Sequence, residues 1–346
     1  MKILLFFPGG CSISDAFIDG FKSEDHDVQL IDYNKILPGY IKKLESKSGF
    51  MPFKFREKVR SKLLSYVQPH YLEKVYQEKP DLVVVYNDQM LLAETVVKIK
   101  QTGCKLAVYL ADSPMFLNRR DHILKMMLKA DQVFAPDSYW LEQLNMLGIE
   151  QTTFLLPGYD NKYKPVKISN EDKDKYSSDL VFVGSPYQSI WGYKRALFLN
   201  AFTHMDIKIF GPLKWERWFN EFPDLKEKSM LSNTYIPDDK MNILLNCAKI
   251  YPVDANPGLI NGVHIRVFEC ISAGILPIVE YRKDFSRAFD GVELPVFKSY
   301  TQAPKLAQDY LKENARREEL VVMLQDFIKL HYSTAACCRQ LLTILF

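Results

Sequence analysis

Nowhere in its 346 residues does this chain string together the roughly 18 apolar residues that a membrane-crossing helix needs. The apolar opening of MKILLFFPGG runs about five residues before a glycine turn, short of a signal-peptide core, so it reads as a first buried strand. The six cysteines (Cys11, Cys104, Cys247, Cys270, Cys337, Cys338) show neither CxxC nor zinc-type spacing. That excludes a disulfide framework and fits reduced thiols in a cytoplasmic protein. A complete GxGxxG is missing, which leaves a nicotinamide-dependent oxidoreductase poorly supported, although Asp32 stands about where a ribose-binding acid would follow Gly9 and Gly10. The formal net charge is only +3, so nothing global demands nucleic acid. DxD occurs only as DHD (25–27) and DKD (172–174), both in charged turns, and no catalytic metal or other cofactor is expected. Internal repeats, heptads and low-complexity tracts are also lacking.

What is present is a soluble composition, 47% hydrophobic and 25% charged, in a chain long enough for two domains. Short apolar runs (KILLFF, DVQLID, DLVVVYN, KLAVYLAD, QVFAPD) alternate with helical patterns, the signature of βαβ units and a parallel doubly wound sheet. The charged stretch KPVKISNEDKDKYSSD (164–179) interrupts this rhythm and is the candidate boundary. The alternation then restarts with LVFVGS, a helix from about Lys194 to Thr203, DIKIFG, MNILLNCA, KIYPV, a helix over IRVFECISA, and ILPIVE. Two Rossmann-like α/β domains follow, 1–160 and 165–325, with 326–346 as a terminal helix crossing back to the first.

One segment departs from this pattern. Between Ile41 and Lys62 stand eight Lys or Arg against Glu45 and Glu57, interleaved with Phe50, Met51, Phe53 and Phe55. Such a basic, aromatic-bearing helical insertion either forms a solvated face, meets an anionic acceptor, or lies on an anionic membrane surface, a peripheral contact at the inner face of the membrane.

Ligands of doubly wound sheets bind beyond the carboxyl ends of strands, so the loops there carry the candidates. FFPGGCSISD offers Gly9 and Gly10, with Ser12, Ser14 and Asp15 as helix caps. LADSP projects Asp112 from a strand end, where it is either a cap or a catalytic group. VFVGSPYQSIWGYKRA puts Gly184 and Ser185 after a strand, then Lys194 and Arg195 opening a helix, where cations oppose the macrodipole unless an anion binds. Finally, INGVHIRVFECISAGILPIVE places Arg266 and Glu269 three residues apart in an otherwise apolar helix stopped by Gly274. They form either an i,i+3 salt bridge worth a few tenths of a kcal/mol or a pair of ligand contacts.

These segments, taken in order, resemble the spore-maturation CgeB-type glycosyltransferases of the GT-B superfamily. The resemblance rests on GVHIRVFECISAGILPIV with PDLVVVYND, LADSP, ADQVFAPDSYWLEQLNMLGI, LPGYDNKYKP, VFVGSPY, IFGPLKW and HYSTAACCRQLL, and covers almost the whole chain. It implies a GT-B fold, two Rossmann-like domains facing across a cleft, and a metal-independent, retaining transfer from a nucleotide-diphosphate sugar to an acceptor presented by the first domain. Glu269 would bind the ribose. Arg266, with Lys194 or Arg195, would neutralise the diphosphate. Gly184, Ser185 and Gly211 would let backbone approach the nucleotide, Tyr235 and Ile236 of NTYIP would border the base, and His264 would line the same pocket. Asp112 would lie near the acceptor, with Gly9 and Gly10 on the acceptor side. Asn261 stands where the wider retaining family has a second glutamate eight residues before the ribose-binding one, a departure that leaves the donor sugar and the stereochemistry open. A GT-B-like protein that binds nucleotide, or serves as a scaffold, without transfer is the competing reading.

Overall fold

The computed structural model describes residues 1–48, 50, 52–87, 89–115, 121–159, 162–234, 236–255 and 258–346, without the side chains of residues 44–46, 48 and 121. The chain divides into two compact units, Met1–Gly158 with Ser333–Phe346, and Tyr159–Tyr332. The charged stretch 164–179 lies inside the second unit. Its backbone is pinned to one helix of that unit, the Lys164 and Val166 amides donating to the Asn242 and Asn246 side chains at 3.1 and 2.9 Å. Asn170–Tyr176 of the same stretch is itself helical, capped by Ser169.

The first unit is built on six strands, β1 (Lys2–Phe6), β2 (Asp27–Leu30), β3 (Leu82–Tyr86), β4 (Lys105–Tyr109), β5 (Gln132–Ala135) and β6 (Thr152–Phe154), in the order β2-β1-β3-β4-β5-β6. All neighbours are parallel, with Ile3 beside Leu82 and Val84 beside Ala107. Helices cover both faces of such a sheet, which is why β3 reads as the unbroken run LVVVY. One face packs Ile3, Leu5, Phe7, Leu82 and Val84 against Phe17 and Phe21 of the Ser12–Lys22 helix and against Cys338 and Leu341 of the last helix, Thr334–Leu345. Burying a leucine such as Leu341 contributes about 1.5–3 kcal/mol. The two helices approach so closely at Gly20 that a Cβ there would lie 2.6 Å from both the Thr334 carbonyl oxygen and the Cys338 sulfur.

The second unit repeats the plan with β7 (Ser178–Val183), β8 (Ile207–Gly211), β9 (Ser229–Leu231), β10 (Ala248–Val253), β11 (Leu276–Glu280) and β12 (Val296–Phe297), ordered β12-β11-β10-β7-β8-β9 and again all parallel. The order reverses between β7 and β10. A crevice opens where the connections from neighbouring strands leave in opposite directions, so the loops after these two strands are the natural ligand site.

Several local expectations are corrected. The helix expected from Lys194 begins at Ser189, so Lys194 and Arg195 sit mid-helix and do not oppose its N-terminal dipole. MNILLNCA belongs mostly to the helix Asp238–Asn246, whose Met241, Leu244 and Leu245 are buried at helical spacing. The helix that follows β3 starts only at Ala93, because Asn87, Gln89 and Met90 all adopt left-handed backbone. Ser12, Ser14 and Asp15 lie inside the first helix, whose N-cap is Cys11, and the Ser14 hydroxyl donates to the Pro8 carbonyl at 2.7 Å. The basic segment forms two helices, Gly39–Ser48 and Phe53–Glu78, the second running well beyond Lys62.

Candidate functional site

Beyond β7 and β8 the chain makes two interlocked glycine loops. The Trp215 indole N–H donates to the Gly184 carbonyl at 2.8 Å. A Cβ on Gly211 would run into that same carbonyl and into the Trp215 ring, so only glycine lets the two loops meet. Arg195 ties down the next carbonyl, its Nη1 donating to Ser185 at 2.8 Å.

Two cavities share this floor. One, of about 280 Å³, is lined by Gly184, Ser185, Gly211, Ile236, Asp238 and Arg266, among others. The other, of about 160 Å³, is lined by Gly184, Tyr187, Arg195, Asp254, His264 and Arg266, among others. Arg266 and Gly184 are common to both.

Arg266 is delivered by the helix Ile265–Ala273. His264 caps its start, Nδ1 accepting from the Arg266 amide at 3.0 Å, and Gly274 ends it at φ +86°. Because Nδ1 accepts, the imidazole proton sits on Nε2. Burial first, then the charges of Arg266 and Arg195, lower the His264 pKa to about 3, so the ring stays a neutral N–H donor. Burial works against the charge of Arg266 itself, but Glu269 and then Tyr251 outweigh it and hold the guanidinium protonated. Arg266 Nη1 lies 2.7 Å from Glu269 Oε2. Glu269 is only 5% exposed and lines neither cavity. The i,i+3 pair thus exists, but it is buried: Glu269 stands behind Arg266, and only Arg266 reaches the cavities.

The remaining sequence candidates separate. Arg195 lines the smaller cavity but is engaged by a buried acid, Nε and Nη2 donating to the two carboxylate oxygens of Asp254 at 2.8 and 2.9 Å. Its guanidinium also lies 4.2 Å from the centre of the Tyr187 ring. Lys194 is drawn off to Glu280, at 2.8 and 3.1 Å from its two oxygens. Glu280 also accepts from the Ala255 amide at 3.0 Å; burial raises its pKa, yet Lys194 and that amide more than offset this and the net is downward. The Asn261 carbonyl accepts from the Asp284 amide at 3.0 Å. Tyr235 lies outside the described residues.

Asp112, Gly9 and Gly10 belong to the first unit. Among the described residues no helix begins at Asp112: its Oδ2 accepts from Asn87 Nδ2 at 2.9 Å, while Asn87 Oδ1 accepts from the Ala111 amide at 2.9 Å. Gly10 takes a left-handed φ of +74°, and the Gly9 amide donates to Asp32 Oδ2 at 2.9 Å. Asp32 Oδ1 accepts from the Asn34 amide, so both of its oxygens are already engaged by backbone. The residues that sequence reasoning missed are Asp254 and Glu280. Their signal was an acid at or just after the end of an apolar strand, in KIYPVD and ILPIVE.

The arrangement is a pocket with one shared cation and a neutral imidazole donor above glycine loops. An anionic ligand with a flat ring system suits it, since close backbone approach serves the ring and Arg266 serves the charge.

Known structures share this architecture. A sucrose-phosphate synthase from Thermosynechococcus elongatus superposes with a TM-score of 0.69 at 10% identity, covering 99% of this chain and 98% of that one. Anabaena HepE in complex with UDP-glucose gives 0.63 at 14% identity, covering 100% and 99%. A UDP-forming α,α-trehalose-phosphate synthase from Burkholderia xenovorans gives 0.67 at 10% identity, covering 99% and 98%. No curated protein sequence matches the chain. The fold is therefore GT-B, and residues 194–343, which supply Arg195, His264, Arg266 and Glu269, match the sequence profile of the family described as "Glycosyl transferase-like".

Proposed function

We propose that the protein is a glycosyltransferase of the CgeB-like kind, taking a sugar from a nucleoside-diphosphate sugar, with UDP as the nucleotide. The observation that carries this reading is the convergence of Gly184, Ser185, Gly211, Ile236 and Arg266 on one cavity at the switch point of the second sheet. In this reading the base lies along the Gly211 and Ile236 side. The diphosphate meets Arg266 and the N–H of His264, and Glu269 keeps the guanidinium in place. As the glycosidic bond breaks, charge grows on the leaving phosphate oxygen, and a fixed guanidinium stabilises that charge more than it stabilises the bound donor. A side-chain cation in this position is the ground for proposing transfer without a metal. We assign Asp112 to the acceptor side, where Asn87 orients its carboxylate, and we carry retention of configuration as part of the proposal.

Isothermal titration with UDP and GDP, followed by donor hydrolysis over a panel of nucleotide sugars, tests this. Micromolar UDP binding with hydrolysis of at least one donor is expected; a chain that binds neither nucleotide is not a transferase of this kind. One feature favours a nucleotide-binding protein without turnover: Arg195, Lys194 and Arg266 are each paired with an acid, and of the three Arg266 alone lines both cavities. Nucleotide binding without hydrolysis of any donor would select that alternative.

A further inference from the structure

A row of three lysines climbs the outer face of the helix Phe53–Glu78. Lys54, Lys58 and Lys62 recur every fourth residue and are all exposed, while Leu63, Val67, Tyr71 and Val75 make the opposite, buried face. Like charges one turn apart work against a helix. Lys54 also sits in a first turn that holds no acid, where the helix dipole disfavours a cation. None of the described residues pairs with these three amines. Further along the same helix the charges turn slightly acidic, with Glu73 and Glu78 against Lys74. The imbalance is therefore local: the segment 41–62 carries a formal +6, which leaves the rest of the chain net acidic against a total of +3.

Exposed aromatics accompany the lysines. Phe50 is 96% exposed, Phe55 63% and Phe53 54%, with Tyr40 at 72%. A face selected only for solubility would not hold four such rings within sixteen residues. Between the Gly39–Ser48 and Phe53–Glu78 helices runs a groove of about 560 Å³ lined by Tyr40, Ile41, Val59, Lys62, Leu63 and Tyr66, among others.

We propose that this face docks on an anionic lipid bilayer, the lysines against headgroup phosphates and the aromatic rings at the level of the glycerol backbone. Lysines supply long-range attraction to a negative surface, and exposed aromatics partition into its interfacial layer. A polyanion without bases would engage the lysines but leave the apolar groove and phenylalanines in water, and a single-stranded nucleic acid could stack on the rings but would leave the groove unfilled, so the bilayer accounts for more of the face. The inference concerns the first unit alone and does not depend on sugar transfer.

Co-sedimentation of the full chain with vesicles tests it, using phosphatidylcholine alone and phosphatidylcholine mixed with phosphatidylglycerol. Binding is expected to the mixed vesicles only and should weaken with added salt. The triple variant K54E/K58E/K62E should lose about tenfold or more in binding. F50S/F55S should also bind less, with its salt dependence unchanged. Far-UV circular dichroism, melting temperature and UDP titration of each variant check that folding and the other unit are intact, and K54Q/K58Q/K62Q replaces the reversal variant if that one unfolds. Equal binding to both vesicle types, or no binding at low salt, overturns the proposal. So does heparin binding as tight as vesicle binding with F50S/F55S unaffected, which would make the face a polyanion site.

Discussion

Arg195 grips both carboxylate oxygens of Asp254 inside the second unit while its remaining arm holds the Ser185 carbonyl. Each side chain is less than a tenth exposed. Removing one partner leaves the other as an unpaired buried charge, at a cost of about 3–5 kcal/mol. Asp254→Ala and Arg195→Ala should therefore lower the denaturant midpoint strongly. A well-packed apolar double replacement at the two positions should recover much of the loss, because the desolvation cost of the pair disappears with it. Double-mutant cycles by urea unfolding would measure this; additive losses would show that the two residues do not act as a pair.

Arg266 should matter in a different way. Arg266→Ala is expected to reduce donor turnover by about 10²–10³, comparable to losing one preorganised donor to a developing anion. Arg266→Lys should recover part of this through charge alone. Since Glu269 lies behind Arg266 and lines neither cavity, Glu269→Gln should change kcat through the misplaced guanidinium as well as donor KM. Steady-state kinetics separate the cases: an effect confined to KM would mean that Glu269 touches the donor itself.

His264 gives a pH signature. Its folded pKa lies near 3, below the usual histidine value of about 6.5. Between those values the unfolded chain binds a proton that the folded chain refuses, so stability is intact above about pH 6.5 and falls as pH drops, by at most about 1.4 kcal/mol per unit. His264→Asn keeps an N-cap acceptor but cannot titrate. Its urea midpoint should fall less steeply between pH 7 and 4 than that of the natural chain; parallel curves would show that the imidazole is not the group responsible.

Two glycine substitutions should dissociate the units. Gly20→Ala forces a methyl against Thr334 and Cys338 and should destabilise the first unit by about 1–3 kcal/mol while UDP binding survives. Gly211→Ala forces apart the loops held by Trp215 and should weaken nucleotide binding as well as stability. Titration calorimetry beside thermal melting reads both, and UDP binding lost in the Gly20 variant would contradict the separation.

The sheet strands were legible because parallel strands buried on both faces leave runs such as LVVVY that no exposed element tolerates. The stop at Gly274 was local and equally readable, whereas the cap at His264 was not read, since histidine is not among the preferred N-cap residues. β6, β9 and β12 were not, since three, three and two residues carry no period. Arg195 and Lys194 showed the harder limit. Their charge was visible, but their partners Asp254 and Glu280 are 59 and 86 residues away, and only the folded sheet brings them together.

The first unit closes with residues that follow the second unit in the chain. Cys338 and Leu341 complete the core around Phe17 and Phe21, yet the whole of the second unit is synthesised between them. At roughly 5–20 residues per second, those phenylalanines wait on the order of fifteen to sixty seconds for their cover. The amide of Tyr159 meanwhile donates to the carbonyl of Tyr332 at 3.2 Å, so the second unit begins and ends at one point. Architecturally it is an insert: a domain that could be excised or circularly permuted at that junction without stretching its own backbone, whereas the first unit stays unfinished until the segment after the insert has been made.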